Sequence, residues 1–341
     1  MSSLHAAAFG DRPDQVVPAS PADPHERWLA AVVLGAQGWY ARAAALLDEL
    51  RHHPDPVLAA LASATLASHR RQLGGHANAR HHDATALARL SRPRSPSDPP
   101  GGVVPLDRSG DVRSNALVDR PAEAGGDAGL GSPGGVVLLG RSGDARSDAS
   151  LDRPGAVGAA SVFGRSGEAR ADVLLGLAAD AVGLGRTDEA RRLVAAAPAD
   201  AGWRAAVRTG WVSAEIELGA GRPAAAVRHA EPAAERAAAS GSVRHRVKSA
   251  LVLGAALAAN GDRARASALV SAALDDASDL GLLTLVWPAA MILMELAPAD
   301  ADRFCRCAAL ALRSVVHRAD PVGRRLAERS PWVPRFAGPT G

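Results

Sequence analysis

The sequence predicts an all-α chain: a solenoid of antiparallel helical hairpins, interrupted once by a long disordered insertion. Three observations predict it. Of the 341 residues, 47% are hydrophobic but only 3% are aromatic, so the core must be built from alanine, valine and leucine. Alanine loses no side-chain entropy in a helix and lets neighbouring helices approach closely. Apolar residues recur at helical spacing in segments punctuated by glycine, and those glycines return at a nearly constant interval. Between them lies a repeated phrase, read as "DRSGDVRSNALVDRP" at 107–121 and "GRSGDARSDASLDRP" at 140–154, without a sustained apolar face.

Taken in order, residues 1–23 are polar, contain proline and show no periodicity, so they are expected to be disordered. Helical hairpins follow over 24–91. The segment 250–277, "ALVLGAALAANGDRARASALVSAALDDA", shows the pattern best. Leu251, Gly254, Leu257 and Ala258 share one face, Gly261-Asp262 breaks the helix, and Ala266, Leu269, Val270, Ala273 and Leu274 share the next face. Two amphipathic helices joined by so short a turn must pack antiparallel.

The turn glycines define the register. Gly38 to Gly74 is 36 residues, Gly185 to Gly221 is 36 and Gly221 to Gly261 is 40, but Gly74 to Gly185 is 111. The stretch 92–166 is 75 residues long, and taking it out restores an interval of 36. It is rich in Gly, Pro and Ser and cannot bury enough apolar surface to offset its ordering entropy, so it reads as a disordered insertion in a loop. Hairpins resume over 167–319, with a helix at 168–183 and later ones at 283–296 and 299–318. A capping helix at 320–329 and a Pro-containing tail complete 320–341, with Trp332 and Val333 expected to fold back onto the last hairpin.

These hairpins resemble the tetratricopeptide repeat (TPR) family over 24–91 and 167–318. That family keeps small residues where helices cross and a glycine at the turn. Gly254, Gly261 and Ala266 hold those places, as do Ala214, Gly221 and Ala226; Ala178, Gly185 and Ala190; Ala31, Gly38 and Ala43; and Ala67, Gly74 and Ala79. The resemblance implies a concave groove, with His25, Ser68, Arg71, Gln72, Asp172, Arg208, Glu215 and Lys248 facing into it. The positions of the family's carboxylate clamp hold small or apolar residues here. Trp28, Trp211 and Trp287 each stand three residues before the small position, a place read as core, with a groove wall as the alternative.

Other constellations are read as ordinary surface. Asp275, Asp276 and Asp279 spell DDxxD, which resembles the magnesium–diphosphate motif of isoprenoid synthases, but on a second helix it faces solvent and no second metal motif follows. His52, His53, His69, His76, His81 and His82 lack a cysteine partner or an H-x3-H pair, so they are read as polar histidines at helix ends, with one metal site near His69, His76 and His81 as the alternative. Cys305 and Cys307, two apart on a helix, diverge too far to form a disulfide or hold a metal together. No nucleophile motif, phosphate loop or dinucleotide fingerprint occurs, so an enzyme and a cofactor are not expected.

Net charge is +3, yet from Asp302 onward eight arginines face three carboxylates, a local +5. The N-terminus lacks a basic start before an apolar run, and the apolar run 280–294 is short for a membrane span, so a cytoplasmic protein is expected. The function that follows is a non-catalytic scaffold or regulatory adaptor binding a protein or peptide segment in its groove through Arg71, Gln72, Arg208, Trp211, Glu215 and Lys248. The alternative is a nucleic-acid-associated transcriptional regulator using the basic C-terminal segment. A metal-dependent enzyme ranks below both.

Overall fold

Three Asp-Pro pairs mark where helices begin. Asp23, Asp55 and Asp320 accept hydrogen bonds from first-turn backbone N–H groups, of Glu26 at 2.8 Å, Val57 at 2.9 Å and Gly323 at 3.1 Å. The proline after each opens the helix at a position whose N–H would have no helical acceptor. The structure is a computed structural model and describes residues 3–19, 21, 23–91 and 157–336, with side chains in the last stretch from residue 166.

All regular elements among the described residues are helical. A short α1 (Ser3–Phe9) precedes six pairs: α2 (Pro24–Ala36) with α3 (Tyr40–Leu50), α4 (Pro56–Gln72) with α5 (His76–Leu90), α6 (Val157–Gly183) with α7 (Thr187–Ala195), α8 (Gly202–Gly219) with α9 (Pro223–Ala239), α10 (Val243–Ala259) with α11 (Arg263–Asp279), and α12 (Leu283–Leu296) with α13 (Ala301–His317). α14 (Pro321–Arg329) follows. Each helix packs against the next, so neighbours in sequence are neighbours in space across the paired region.

The five turn glycines read from the sequence all take the left-handed conformation, with φ between 68° and 92°, which a side chain would strain. The small positions serve the close approach they imply. Ala31, Ala67, Ala178, Ala214 and Ala290 are completely buried, and a Cβ on Gly254 would stand 2.2 Å from Val270 Cγ2 of the partner helix. Trp28, Trp211 and Trp287 are likewise buried, in agreement with the core reading.

The first helices of the pairs form an inner layer, with α2, α4, α6, α8, α10 and α12 each touching the next. The layer also meets its own beginning. α12 packs on α2, Thr284 Oγ1 donates to the Ala36 carbonyl at 3.1 Å, and Ala41 N–H donates to the Arg318 carbonyl at 2.8 Å. The Arg318 guanidinium lies 4.0 Å over the Trp39 ring. The six pairs therefore close on themselves, and the expected open concave groove is not present among the described residues.

Three sequence expectations change. Residues 1–23, read as disordered, include α1, which buries Leu4, Ala7, Ala8 and Phe9. Phe9 lies 5.7 Å from the Trp28 ring, and the Gly10 carbonyl accepts from Val243 N–H at 3.1 Å, so α1 bridges α2 and α10. Seven residues are too few for a stable isolated helix, and tertiary contact supplies what local pattern lacks. The expected insertion 92–166 lies outside the described residues as far as 156, but its last ten residues belong to α6, which starts at Val157 rather than 168. In the tail, Val333 is buried but Trp332 is 40% exposed. The tail docks on the α4–α5 turn as well as following the last pair: Ser330 Oγ donates to the Gly74 carbonyl at 3.3 Å, and Arg70 forms a two-pronged ion pair with Asp320.

Candidate functional site

The residues expected to line a groove, Arg71, Gln72, Arg208, Trp211, Glu215 and Lys248, are all buried, none more than 7% exposed. Closure of the inner layer turns their face inward, so these polar groups meet one another rather than solvent. Such burial is tolerable only when each charge finds a counter-charge. Three clusters show how far that condition is met.

The first joins the second pair to the third. Arg71 Nε and Nη2 donate to the two carboxylate oxygens of Asp180 at 2.7 and 2.9 Å, and Nη2 also donates to Asp83 at 2.6 Å. Burial alone would lower the guanidinium's pKa, but Asp180 and Asp83 raise it above its ordinary value. Burial pushes Asp83 well above the usual carboxylate range, Arg71 opposes this, and Asp180 adds to it. His76 Nδ1 lies 3.3 Å from Asp180. α6 makes room with two glycines: a Cβ on Gly176 would meet Asp83 at 2.3 Å, and one on Gly183 would meet the His76 ring at the same distance.

The second lies between α6 and α8. Asp172 accepts from both Arg204 and Arg208, and Glu168 stands 3.7 Å from Arg204. Burial, followed by Asp172 in the opposite sense, leaves Arg208 below its ordinary pKa.

The third lies between α8, α10 and α12. Lys248 Nζ stands 4.0 Å from Glu215 and 5.6 Å over the Trp211 ring. Trp211 Nε1 donates to Ser249 Oγ at 2.8 Å, and its ring stacks on His245 at 5.6 Å. Gln72 Oε1 accepts from the Tyr40 hydroxyl at 2.8 Å. Burial raises Glu215 to about 7 and lowers Lys248 to about 7, Glu215 and Lys248 each moderating the other's shift. A cavity of about 10 Å³, roughly the room of one water molecule, opens here between Gln72, Trp211, Lys248 and Thr284, with Arg244, His245 and Leu285 completing its wall.

Arg244 is the exception to the pairing rule. It is 7% exposed, its Nη1 has no acceptor among the described residues, and burial lowers it to about 10 with only Tyr40 favouring its charge.

Sequence reading thus found Gln72, Trp211 and Lys248 of the cavity and Arg71, Arg208 and Glu215 beside it, but missed Arg244, His245, Asp83 and Asp180. Arg244 was within reach: it stands one turn ahead of Lys248 on the same helical face, as Arg204 stands ahead of Arg208.

The other constellations stay apart. Asp275 and Asp279 are exposed on α11, while Asp276 pairs with Arg246 at 2.7 Å. His69 stacks on Tyr40, His81 and His82 lie edge to face, and His53 accepts from Asp55 N–H. Among the described residues no three His, Cys, Asp or Glu side chains converge as a metal site would require, and no helix is long and apolar enough to cross a membrane. No protein-family model and no curated protein matches the chain.

Proposed function

We propose that the helical pairs are TPR-like repeats and that the protein is a cytoplasmic, non-catalytic adaptor that holds an acidic segment of a partner protein. The reading is supported most directly by the distribution of charge. Inside, Arg71, Arg204 and Arg208 are consumed by Asp83, Asp172 and Asp180, so they are not available to an outside partner. Outside, Arg303, Arg306, Leu310, Arg313 and His317 form one exposed stripe along α13. Arg324, Arg325 and Arg329 on α14 are exposed as well. Leu310, 62% exposed, places an apolar contact within the arginine stripe. An acidic amphipathic segment would match both.

The partner surface is therefore the outer C-terminal face rather than the groove expected from the sequence. The same arginines favour the second reading, a nucleic-acid partner, because phosphates are held by the same unpaired guanidinium groups.

One titration separates the two. The full chain is titrated with a fluorescent Glu-rich, Leu-containing peptide and, in parallel, with a labelled DNA duplex and an RNA strand, each over a range of salt. The adaptor reading expects peptide binding that Arg306→Glu with Arg313→Glu weakens at least tenfold while thermal stability is kept. Binding of nucleic acid alone transfers the assignment to the second reading. Binding of none of them by a folded chain removes both.

A further inference from the structure

Asp172, Arg208 and Lys248 occupy the same place in three successive repeats, each thirteen residues ahead of its turn glycine. One turn earlier on their helices stand Arg204 and Arg244. The two cation pairs, Arg204 with Arg208 and Arg244 with Lys248, are therefore repeat equivalents. The first pair is neutralised by the helix before it, because Asp172 of α6 accepts from both arginines. For the second pair, the corresponding residue on the preceding helix is Arg208, another cation. Glu215 reaches towards Lys248 at 4.0 Å, and no ion pair reaches Arg244 among the described residues. A carboxylate that one repeat supplies from its neighbour is missing from the next.

We propose that this gap is a binding site for a compact oxyanion, a phosphate, sulfate or carboxylate group of a small molecule. The pocket offers donors suited to one. Arg244 Nη1 is buried without an acceptor and Lys248 lines the same cavity, whereas the Thr284 hydroxyl and the Gln72 amide beside them already donate to Ala36 and Ser68. A guanidinium fork takes two oxygens of an oxyanion at once, and an ammonium adds charge without directional demand. Trp211 and Leu285 form the apolar part of the wall, which excludes water and strengthens a charge-assisted hydrogen bond. Burial has already lowered Lys248 to about 7 and Arg244 to about 10, so an anion would restore what desolvation took away. The empty space is close to that of one water molecule, so it admits one oxygen of the anion, and the side chains of the wall must part to take the rest.

This site goes beyond the adaptor reading, and the two fail separately, because the exposed arginines of α13 take no part in it. Lys248 is the only lysine in the chain, so lysine-selective ¹³C and ¹⁵N labelling places a single side-chain probe at the pocket. The full-length protein is titrated at pH 7.5 and constant ionic strength with sodium phosphate, sulfate or acetate, and with chloride as the reference. The proposal expects the Lys248 ε-methylene signal to shift saturably with at least one oxyanion and not with chloride. Its midpoint of titration should rise by about one pH unit or more when the site is filled.

Arg244→Met should weaken that response at least tenfold, and in oxyanion-free buffer should melt no lower than the wild type. Phosphate and sulfate acting without acetate would assign a tetrahedral anion; acetate acting alone would assign a carboxylate. No oxyanion-specific shift in the wild-type protein overturns the proposal, and so does an undiminished shift in a folded Arg244→Met chain. Should that variant fail to fold, Arg244→Gln takes its place, with a several-fold weaker response expected and an unchanged one counting against the site.

Discussion

Arg71 on α4 grips both oxygens of Asp180 on α6, although 109 positions separate them in the chain. With the added bond to Asp83 on α5, one guanidinium holds together three helices on the two sides of the interrupted register. Its removal would leave two carboxylates buried without a counter-charge. Arg71→Leu should cost about 3–5 kcal/mol, lowering the melting temperature by roughly 4–9 °C for a chain of this size. Arg71→Lys should recover only part of it, because an ammonium cannot reproduce the fork. Thermal and urea unfolding would check both, and an Arg71→Leu chain as stable as the wild type would remove the staple role.

The Glu215–Lys248 pair predicts an unusual dependence on pH. The folded chain keeps the Glu215 proton up to about 7, against an ordinary 4.5. Between those values it binds more protons than the unfolded chain, and stability falls as pH rises. Lys248 loses its proton near 7 rather than 10.5. Above 7 the unfolded chain therefore binds more protons, and stability rises with pH. The pair should contribute least near neutrality. Melting temperatures of Glu215→Gln with Lys248→Met, subtracted from wild type over pH 5 to 9, should show the wild type at its relative minimum around 7. A difference independent of pH would contradict the placement of the two groups.

Gly254 faces Val270 with no room for a methyl group between them. Gly254→Ala should destabilise by about 1–3 kcal/mol through overpacking, even though alanine is the better helix former. Val270→Ala in the same chain should relieve much of that cost, giving a favourable coupling in a double-mutant cycle. If Gly254→Ala stabilises the protein, the helices do not cross at this point.

α1 is held by its apolar side, with Phe9 3% exposed against Trp28. Phe9→Ala should cost about 3–5 kcal/mol and expose the Trp28 ring. Tryptophan fluorescence should move to longer wavelength when residues 1–10 are removed. An unchanged spectrum and melting point would show that α1 does not cover this part of the inner layer.

The sequence by itself determined the helices from α2 onward, their adjacent pairing and their spacing, but not α1 or the start of α6. Apolar residues at helical intervals, aspartate and proline at helix starts and glycine at turns act within a few residues of themselves, so their effect is legible in a short window. That is why the left-handed glycines, the buried alanines at the crossings and the bounds of α12 agree with the pattern. Tertiary structure alone decided what the inner faces meet. Only packing between helices far apart in the chain brings Thr284 to Ala36 and Arg318 to Trp39. Once that closure is made, side chains that would have lined a groove become a buried ionic interior. Asp172 then neutralises Arg204 and Arg208, while Arg244, on the same face one repeat later, is left without a carboxylate.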